Sequence, residues 1–540
     1  MSLLSHRVGW TVWRLIVSLL CVAIIQESAL VWADTRLFPI ISISEQYDSN
    51  VFYAPKSLLA PGTKADDLIT FVNPQLIVSH TSSLFSGSFS IGGVIGKYMN
   101  NSDLDFAGVN AATSMNVTQI ARKLSSRINM VTVTGAYQFT PSASAFGGGG
   151  VGFSGVGFAS GGGVGSGVVG PYDSGLIANR TRISSYTAGI SGGYTLTPNL
   201  SAQFSYMFNQ ISFGGQFGLV NSAVQNQLFD TTGHTVTTGL LHQITRNDSL
   251  GYNYSYSRFD QGVGVFSTHT ASGTWSRRWN RELTSAVAGG ATLIEPFVDL
   301  TTSAKREVPL SIQPTASAIV TWTSSSSILR SAGEGSDAFG GRMQASPTLM
   351  STMQGGAGTM GGLPAQAGSM NPGAILARGR YSFSLSYNFG IFPSYVAEAG
   401  PIVTHVFGAN GSFGITDRVT GMVGVNFARS IGTQQQTTFA FDSYGTNAAL
   451  NYLVNPNLQV SLSHSWLNFA DQSPNQALIN NGSGAFEFSK HMVLLRLGYV
   501  FTPNQSFFRS GGIGSTGAST DGSGAAGLTG GSSGSEKGAK

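Results

Sequence analysis

Tyr381-Ser382-Phe383-Ser384-Leu385-Ser386-Tyr387-Asn388-Phe389 is a run in which every second side chain is large and apolar and the ones between are small and polar. Side chains along a strand alternate between two faces, so this run builds a strand with one apolar and one polar face. The pattern recurs. Leu200, Ala202, Phe204, Tyr206 and Phe208 alternate with Ser201, Gln203, Ser205 and others, and Leu250, Tyr252, Tyr254 and Tyr256 alternate with Gly251, Asn253, Ser255 and Ser257. A bilayer-crossing strand needs ~9 to 11 residues, the length of these runs. Strands of a soluble β-sandwich average about 5 to 6 residues and carry Lys and Glu on their solvent face. Here the polar face is Ser, Asn, Gln, Thr and Gly. The sequence therefore predicts an all-β protein, an antiparallel up-and-down closed transmembrane β-barrel.

Composition agrees. Charged residues make up 10% of the chain, against ~25% in ordinary globular proteins, while aromatics reach 11% and glycine numbers 71. No run of eighteen or more apolar residues follows Asp34. Helical spans are thereby excluded, and a closed barrel is the other way to satisfy every backbone polar group within lipid. A net charge of +4, dispersed along the chain, gives no footprint for nucleic acid.

Residues 1–33 read as an export signal. His6, Arg7 and Arg14 form a basic start, Leu15 to Ile25 an apolar middle, and Val31-Trp32-Ala33 a cleavage site. The single cysteine, Cys21, lies within that segment, so the mature chain has no thiol for disulfides or metal.

Short connections rich in turn formers include Thr197-Pro198-Asn199, Arg246-Asn247-Asp248, Trp279-Asn280-Arg281, Thr416-Asp417-Arg418 and Asn455-Pro456-Asn457. Longer ones alternate with them, notably the glycine-rich stretch from Phe146 to Gly170 and the segment from Gly214 to Asp230. This asymmetry is that of a barrel with short periplasmic turns and long outer loops. From Phe38 to Phe501 the pattern predicts about eighteen strands, within a range of sixteen to twenty, and an even count puts both termini in the periplasm. The barrel is expected over 34–501. Within it, the Ser, Gly and Met-rich stretch 324–377 falls by parity on the periplasmic rim, either as an inserted disordered loop or because a strand near Pro296 to Pro314 is hidden. Residues 502–540 read as a flexible Gly/Ser-rich tail. Val493, Leu495, Leu497, Tyr499 and Phe501 form an alternating terminal strand ending in an aromatic residue, the element that barrel-assembly machinery recognises.

Two blocks near the start of the mature chain, FPIISISEQYDSNVFY (Phe38 to Tyr53) and DDLITFVNPQL (Asp66 to Leu76), carry a family resemblance. They resemble the outer-membrane β-barrel proteins associated with exosortase and PEP-CTERM systems, related to the putative β-barrel porin group. Glu45, Tyr47, Asp48, Asn50, Asp67 and Pro74 occupy the family's recurring positions. The resemblance covers under a tenth of the chain and implies a barrel in the envelope of an exopolysaccharide-producing Gram-negative bacterium, with exopolysaccharide export components as partners. It names no catalytic residue. Read from the residues themselves, Asp48, Asn50 and Asp67 bracket a first hairpin loop, with a divalent cation there as the less favoured alternative.

No motif carries catalysis, and neither a cofactor nor a metal is expected. Gly150 to Gly155 matches a dinucleotide fingerprint within low complexity, and Gly189-Ile190-Ser191-Gly192-Gly193 matches a nucleophile elbow inside an alternating strand. The eight histidines show no metal-ligand spacing; His80 with Ser82 and His464 with Ser465 are the local pairs an enzyme could use. Arg380, Asp442, Glu487 and Arg496 fall on the polar phase and are the expected lumen-lining charges, since facing lipid would cost ~2 to 4 kcal/mol at mid-bilayer. Arg258 falls on the apolar phase near the outer rim, where it can meet lipopolysaccharide phosphates. The expected function is an outer-membrane channel or porin, or an exopolysaccharide-associated export component. The alternative is a non-conducting docking barrel with a plugged lumen.

Overall fold

The computed structural model describes residues 34–52, 56, 59, 62–144, 180–217, 230–260, 264–295, 298–299, 311–323, 381–393, 401–416, 418–432, 440–455, 457–471 and 487–501. The expected signal (1–33), the stretch 324–377 and the tail 502–540 lie outside them.

The strands are β1 (Asp34–Asp48), β2 (Asp67–Thr81), β3 (Ser86–Tyr98), β4 (Phe106–Asn116), β5 (Ile128–Ser144), β6 (Arg180–Thr197), β7 (Leu200–Phe217), β8 (Thr231–Gln243) and β9 (Asp248–Asp260). They continue with β10 (Gly264–Arg278), β11 (Leu283–Ile294), β12 (Ser311–Thr323), β13 (Tyr381–Pro393), β14 (Pro401–Gly414), β15 (Val419–Gly432), β16 (Ala440–Asn455), β17 (Leu458–Asp471) and β18 (Glu487–Val500). A two-residue ladder, Val298–Asp299, pairs with Gly264 and Val265 of β10 just beyond the point where Ile294 pairs with Thr268. It prolongs β11 rather than adding a strand, so the barrel has eighteen, the number expected.

Each strand pairs antiparallel with its successor, and β1 closes on β18 from Ile40↔Val500 to Asp48↔Met492. No additional strand occurs near Pro296 to Pro314 among the described residues; β12 itself contains Pro314, opposite Ala291. Because the count is even, Asp34 and Val500 share one rim. That rim also carries the short turns after β6, β8, β10, β14 and β16, whereas most connections at the other rim are longer. Short turns and termini mark the periplasmic side. Connection 324–380 joins β12 to β13 at that same rim.

The turns form where the chain supplies local acceptors. The Asn280 side chain accepts from the Glu282 and Leu283 N–H groups at 2.8 and 2.7 Å, and Asn455 does the same for Asn457 and Leu458. Thr245 takes the Asn247 and Asp248 N–H groups. One turn contains a short helix, α1 (Thr118–Arg122), between β4 and β5.

Pro74 sits inside β2 and cannot donate to a ladder, and the β2 pairing with β3 skips Asn73 and Pro74 before resuming at Gln75↔Gly92. Gly92 lies close to its neighbours there: a Cβ would lie 2.7 Å from Asn110 Oδ1 and 3.2 Å from the Pro74 carbonyl oxygen, so a side chain fits only if Asn110 turns aside.

Candidate functional site: lumen and outer wall

Exposure separates the two faces along many of the strands. On β13 the outward Tyr381, Phe383 and Leu385 are exposed, and on β9 Tyr252 and Tyr254 are exposed while the intervening Ser255 and Ser257 are buried. Outward positions elsewhere include Ile43, Ile91, Phe204, Val287, Phe407, Val425, Leu450, Leu462 and Leu495, all exposed. These side chains wrap the closed barrel in an apolar belt. A closed antiparallel barrel wearing such a belt is an outer-membrane protein, because no other strand architecture leaves no backbone group unpaired in lipid.

The inward phase is small and polar through the middle of the wall. Ser42 and Ser44 of β1, Thr237 of β8, Thr270 and Thr274 of β10, Thr292 of β11, Ser443 of β16 and Ser461 of β17 lie on it and are buried. Their hydroxyls pair across strands, as in Thr270 with Thr292 at 2.7 Å, Thr237 donating to Ser255 at 3.3 Å, and Ser382 with Ser412 at 2.7 Å. Towards the outer rim the same phase turns apolar. Ile69, Val94, Ile211, Phe259, Ile294, Phe469 and Phe488 stand inward near the outer ends of their strands and are buried.

Charges on the inward phase gather at the closing seam. Lys490 Nζ is 2.7 Å from Asp48 Oδ2, with side-chain exposures of 0% and 4%. Arg496, on the same face of β18, donates to Ser42 Oγ at 3.3 Å and is also buried. One strand further on, Asp67 is saturated by donors: Oδ1 accepts from the Leu68, Met99 and Asn100 N–H groups, and Oδ2 from the Asn101 N–H and side-chain amide. Asp48 and Asp67 thus serve as a seam partner and a loop anchor. The alternative of a divalent cation has no support in this arrangement, since both carboxylates are committed to the protein's own donors. Among the described residues no group of three or more His, Cys, Asp or Glu is arranged to hold a metal.

Two of the four expected lumen charges stand elsewhere. Asp442 shares its phase with the exposed Tyr444 and Leu450, so it faces outward, 3.9 Å from Arg429. Glu487 shares its phase with exposed Val493 and Leu495 and is outward as well. The reason is the apolar inner phase at this end: with Phe469 and Phe488 inward and buried, the equation of apolar with lipid-facing fails at the outer ends of these strands. Arg496 lies on the inward phase, and Arg380 lies outside the described residues. The assembly residues Val493, Leu495, Leu497 and Tyr499 share the outward face of β18, and Phe501 follows it with its N–H on the Pro39 carbonyl at 2.9 Å.

The local pairs weighed for catalysis do not form sites. His464 is outward and Ser465 inward, on opposite faces of β17. His80 meets Thr35 at 2.8 Å, while the Ser82 hydroxyl is occupied by the turn at Phe85. Ser191 lies within β6 opposite Thr132 and Ser205, with no helix after it, and the Gly150 motif is outside the described residues.

What sequence reading missed is a pattern on the outer wall. Three histidines each meet a tyrosine hydroxyl from the preceding strand: Tyr206 with His234 at 2.9 Å, Tyr254 with His269 at 2.7 Å, and Tyr387 with His405 at 3.1 Å. In each case the histidine lies two residues before the one opposite the tyrosine, towards the outer rim. The signal was present in the spacing, but only strand register reveals it.

No protein-family model matches the chain, and no curated protein matches it in sequence. Solved structures similar to it include Acinetobacter baumannii OccAB3 (8% identity, TM-score 0.38, covering 87% of this chain and 99% of that one) and the Pseudomonas aeruginosa outer-membrane protein opdK (10% identity, TM-score 0.37, covering 86% and 99%). Pseudomonas aeruginosa OprD is a third, at 8% identity and TM-score 0.36, covering 87% of this chain and 95% of that one.

Proposed function

We propose that this barrel is a channel of the outer membrane. The observation that carries the reading is the inward phase: an eighteen-strand closed wall whose middle is lined by Ser, Thr, Asn and Gly. Side chains fill the interior of a barrel of about eight strands, whereas barrels of about sixteen to eighteen leave room for water. A hydroxyl-rich wall suits polar solutes. Purified protein in a planar bilayer is expected to conduct in discrete steps. Folded barrel that never conducts would remove the channel reading.

The buried apolar side chains at the outer ends of the strands favour a second reading in one respect, because they offer an apolar seat for a plug. On that reading the barrel docks partners without conducting, and the same bilayer experiment separates the two.

The finer function, a part in exopolysaccharide export, draws its support from the resemblance of Phe38 to Tyr53 and Asp66 to Leu76 to barrels of exosortase-associated systems. Deleting the protein from its host is then expected to lower secreted polysaccharide and to accumulate polymer in the periplasm. Unchanged secretion would leave a general channel.

A further inference from the structure

On the inner wall, β14, β15 and β16 carry an interlocked pattern of asparagine and glycine. Asn410 and Asn447 both stand opposite Gly424, and Asn426, one row nearer the outer rim, stands between Gly408 and Gly445. These residues alternate with Phe407, Val425 and Tyr444, which are exposed on the outer wall, so they face the lumen. A Cβ on Gly424 would lie 2.5 Å from Asn410 Oδ1 and would collide with Asn447 Oδ1 as well, and one on Gly445 would collide with Asn426. Each carboxamide therefore lies flat across a neighbouring glycine. Ser384 and Ser465 extend the row on either side, opposite Asn410 and Asn447.

The three carboxamides are half-buried, and among the described residues none of them hydrogen-bonds to a protein group. Each offers two N–H donors and an acceptor oxygen to whatever enters the lumen. Among the described residues no charged side chain stands on the inward phase of these three strands. The patch is therefore a flat, neutral surface that can donate and accept hydrogen bonds at once.

A solute that settles on such a surface must replace the hydrogen bonds its groups make to water, both donated and accepted. An apolar solute cannot do so, and a charged one finds no counter-charge on this wall. Sugar hydroxyls donate and accept alike, as the carboxamides do. With neighbouring strands about 4.8 Å apart, Asn410 and Asn447 are separated by about 10 Å, a span that two linked sugar rings cover, and the glycines between them let a ring approach the wall closely. We propose that Asn410, Asn426 and Asn447 form a subsite on the lumen wall for neutral saccharides. The proposal deepens the channel reading and rests on its solute-accessible lumen.

The test uses the full chain in a detergent without a sugar headgroup, such as lauryldimethylamine oxide, and the faster gel migration of unheated samples checks that each variant is folded. Calorimetric titration with maltotriose measures binding without depending on conduction, and the same sugar added to a planar bilayer measures block of the current. N410A/N426A/N447A is expected to bind maltotriose about tenfold more weakly, on the scale of one to two lost hydrogen bonds. G424A keeps every carboxamide but turns two of them off the wall, and it should weaken binding as well, which covers a triple variant that fails to fold. N209A removes a carboxamide from β7, on another part of the inner wall opposite Gly233, and should bind as the wild type does. Unchanged binding in folded N410A/N426A/N447A would overturn the proposal. So would an equal loss in N209A, or binding of trigalacturonate, an anionic sugar of the same length, as tight as that of maltotriose. Sugar bound by a barrel that never conducts would remove the channel reading and leave the subsite standing, whereas current through a barrel that binds no sugar would do the reverse.

Discussion

Leu385 and Ser384 are neighbours in sequence, yet one is 52% exposed on the outer wall and the other faces the lumen. Leu385 stands between Val320 and Ala409, with no polar group opposite it. Leu385→Arg is expected to destabilise the barrel by ~2 to 4 kcal/mol, the cost of a cation near the bilayer midplane, and Ser384→Arg by clearly less. Folding titrations into lipid vesicles would compare them; equal losses would mean that both faces meet the same medium. The seam allows a second test. Asp48→Asn leaves the Lys490 ammonium buried without its carboxylate, and removing one partner of such a pair typically costs about 3 to 5 kcal/mol. Asp48→Leu with Lys490→Met removes both charges, so this double variant should be more stable than Asp48→Asn, as read by the temperature at which the folded gel band is lost. The alternation that sets Leu385 against Ser384 was legible in the sequence. The seam was not, because Asp48 and Lys490 are more than four hundred residues apart and meet through barrel closure alone.

Strands and turns were readable because each rests on local chemistry: period-two alternation for the strand, and Asn, Asp, Thr or Pro side chains for the turn. Phase was readable only where that alternation is clean. At Ala440-Phe441-Asp442-Ser443-Tyr444 two aromatics stand three residues apart in sequence, so period two picks out no single apolar phase, and Asp442, which shares its phase with exposed Tyr444, was assigned inward in error. The terminal strand β18 is unambiguous below that level. Tyr499 packs edge to face on Phe501 at 4.7 Å, and β18 is paired on both sides, with β17 and β1. All of these contacts lie before residue 502. Deleting Arg509 to Lys540 is therefore expected to leave normal amounts of folded barrel, whereas Tyr499→Asp with Phe501→Asp should deplete it from the outer membrane through loss of the assembly element. Loss of barrel on tail deletion alone would mean that the element is located after β18.

At the scale of the whole molecule, function turns on what occupies the lumen. Moving Asp442 and Glu487 to the outer wall changes the charge balance expected inside: Asp48 is paired with Lys490, and the positive charge of Arg496 near the seam is offset by the Asp67 carboxylate, which its hydrogen-bond donors hold ionised. Reversal potentials across a salt gradient should accordingly show little ion preference in the wild type and a shift towards cations in Arg496→Gln; a strong preference in the wild type, or no shift in the variant, would contradict this placement. The connection 324–380 enters the same question. It is the longest of the connections, and it joins β12 to β13 on the periplasmic rim, where the other connections are mostly short turns. Thr323 pairs with Ser382 at its base, so the barrel wall is already complete without it. Removing Ser331 to Pro372 should therefore leave a folded barrel, and its conductance reports the segment's role. Conductance that rises on deletion identifies a plug and unites the channel and docking readings. Conductance unchanged from that of a wild type that conducts identifies an open pore with an appended periplasmic segment. Silence from both forms, with the barrel folded, would leave docking at the rims as the better account.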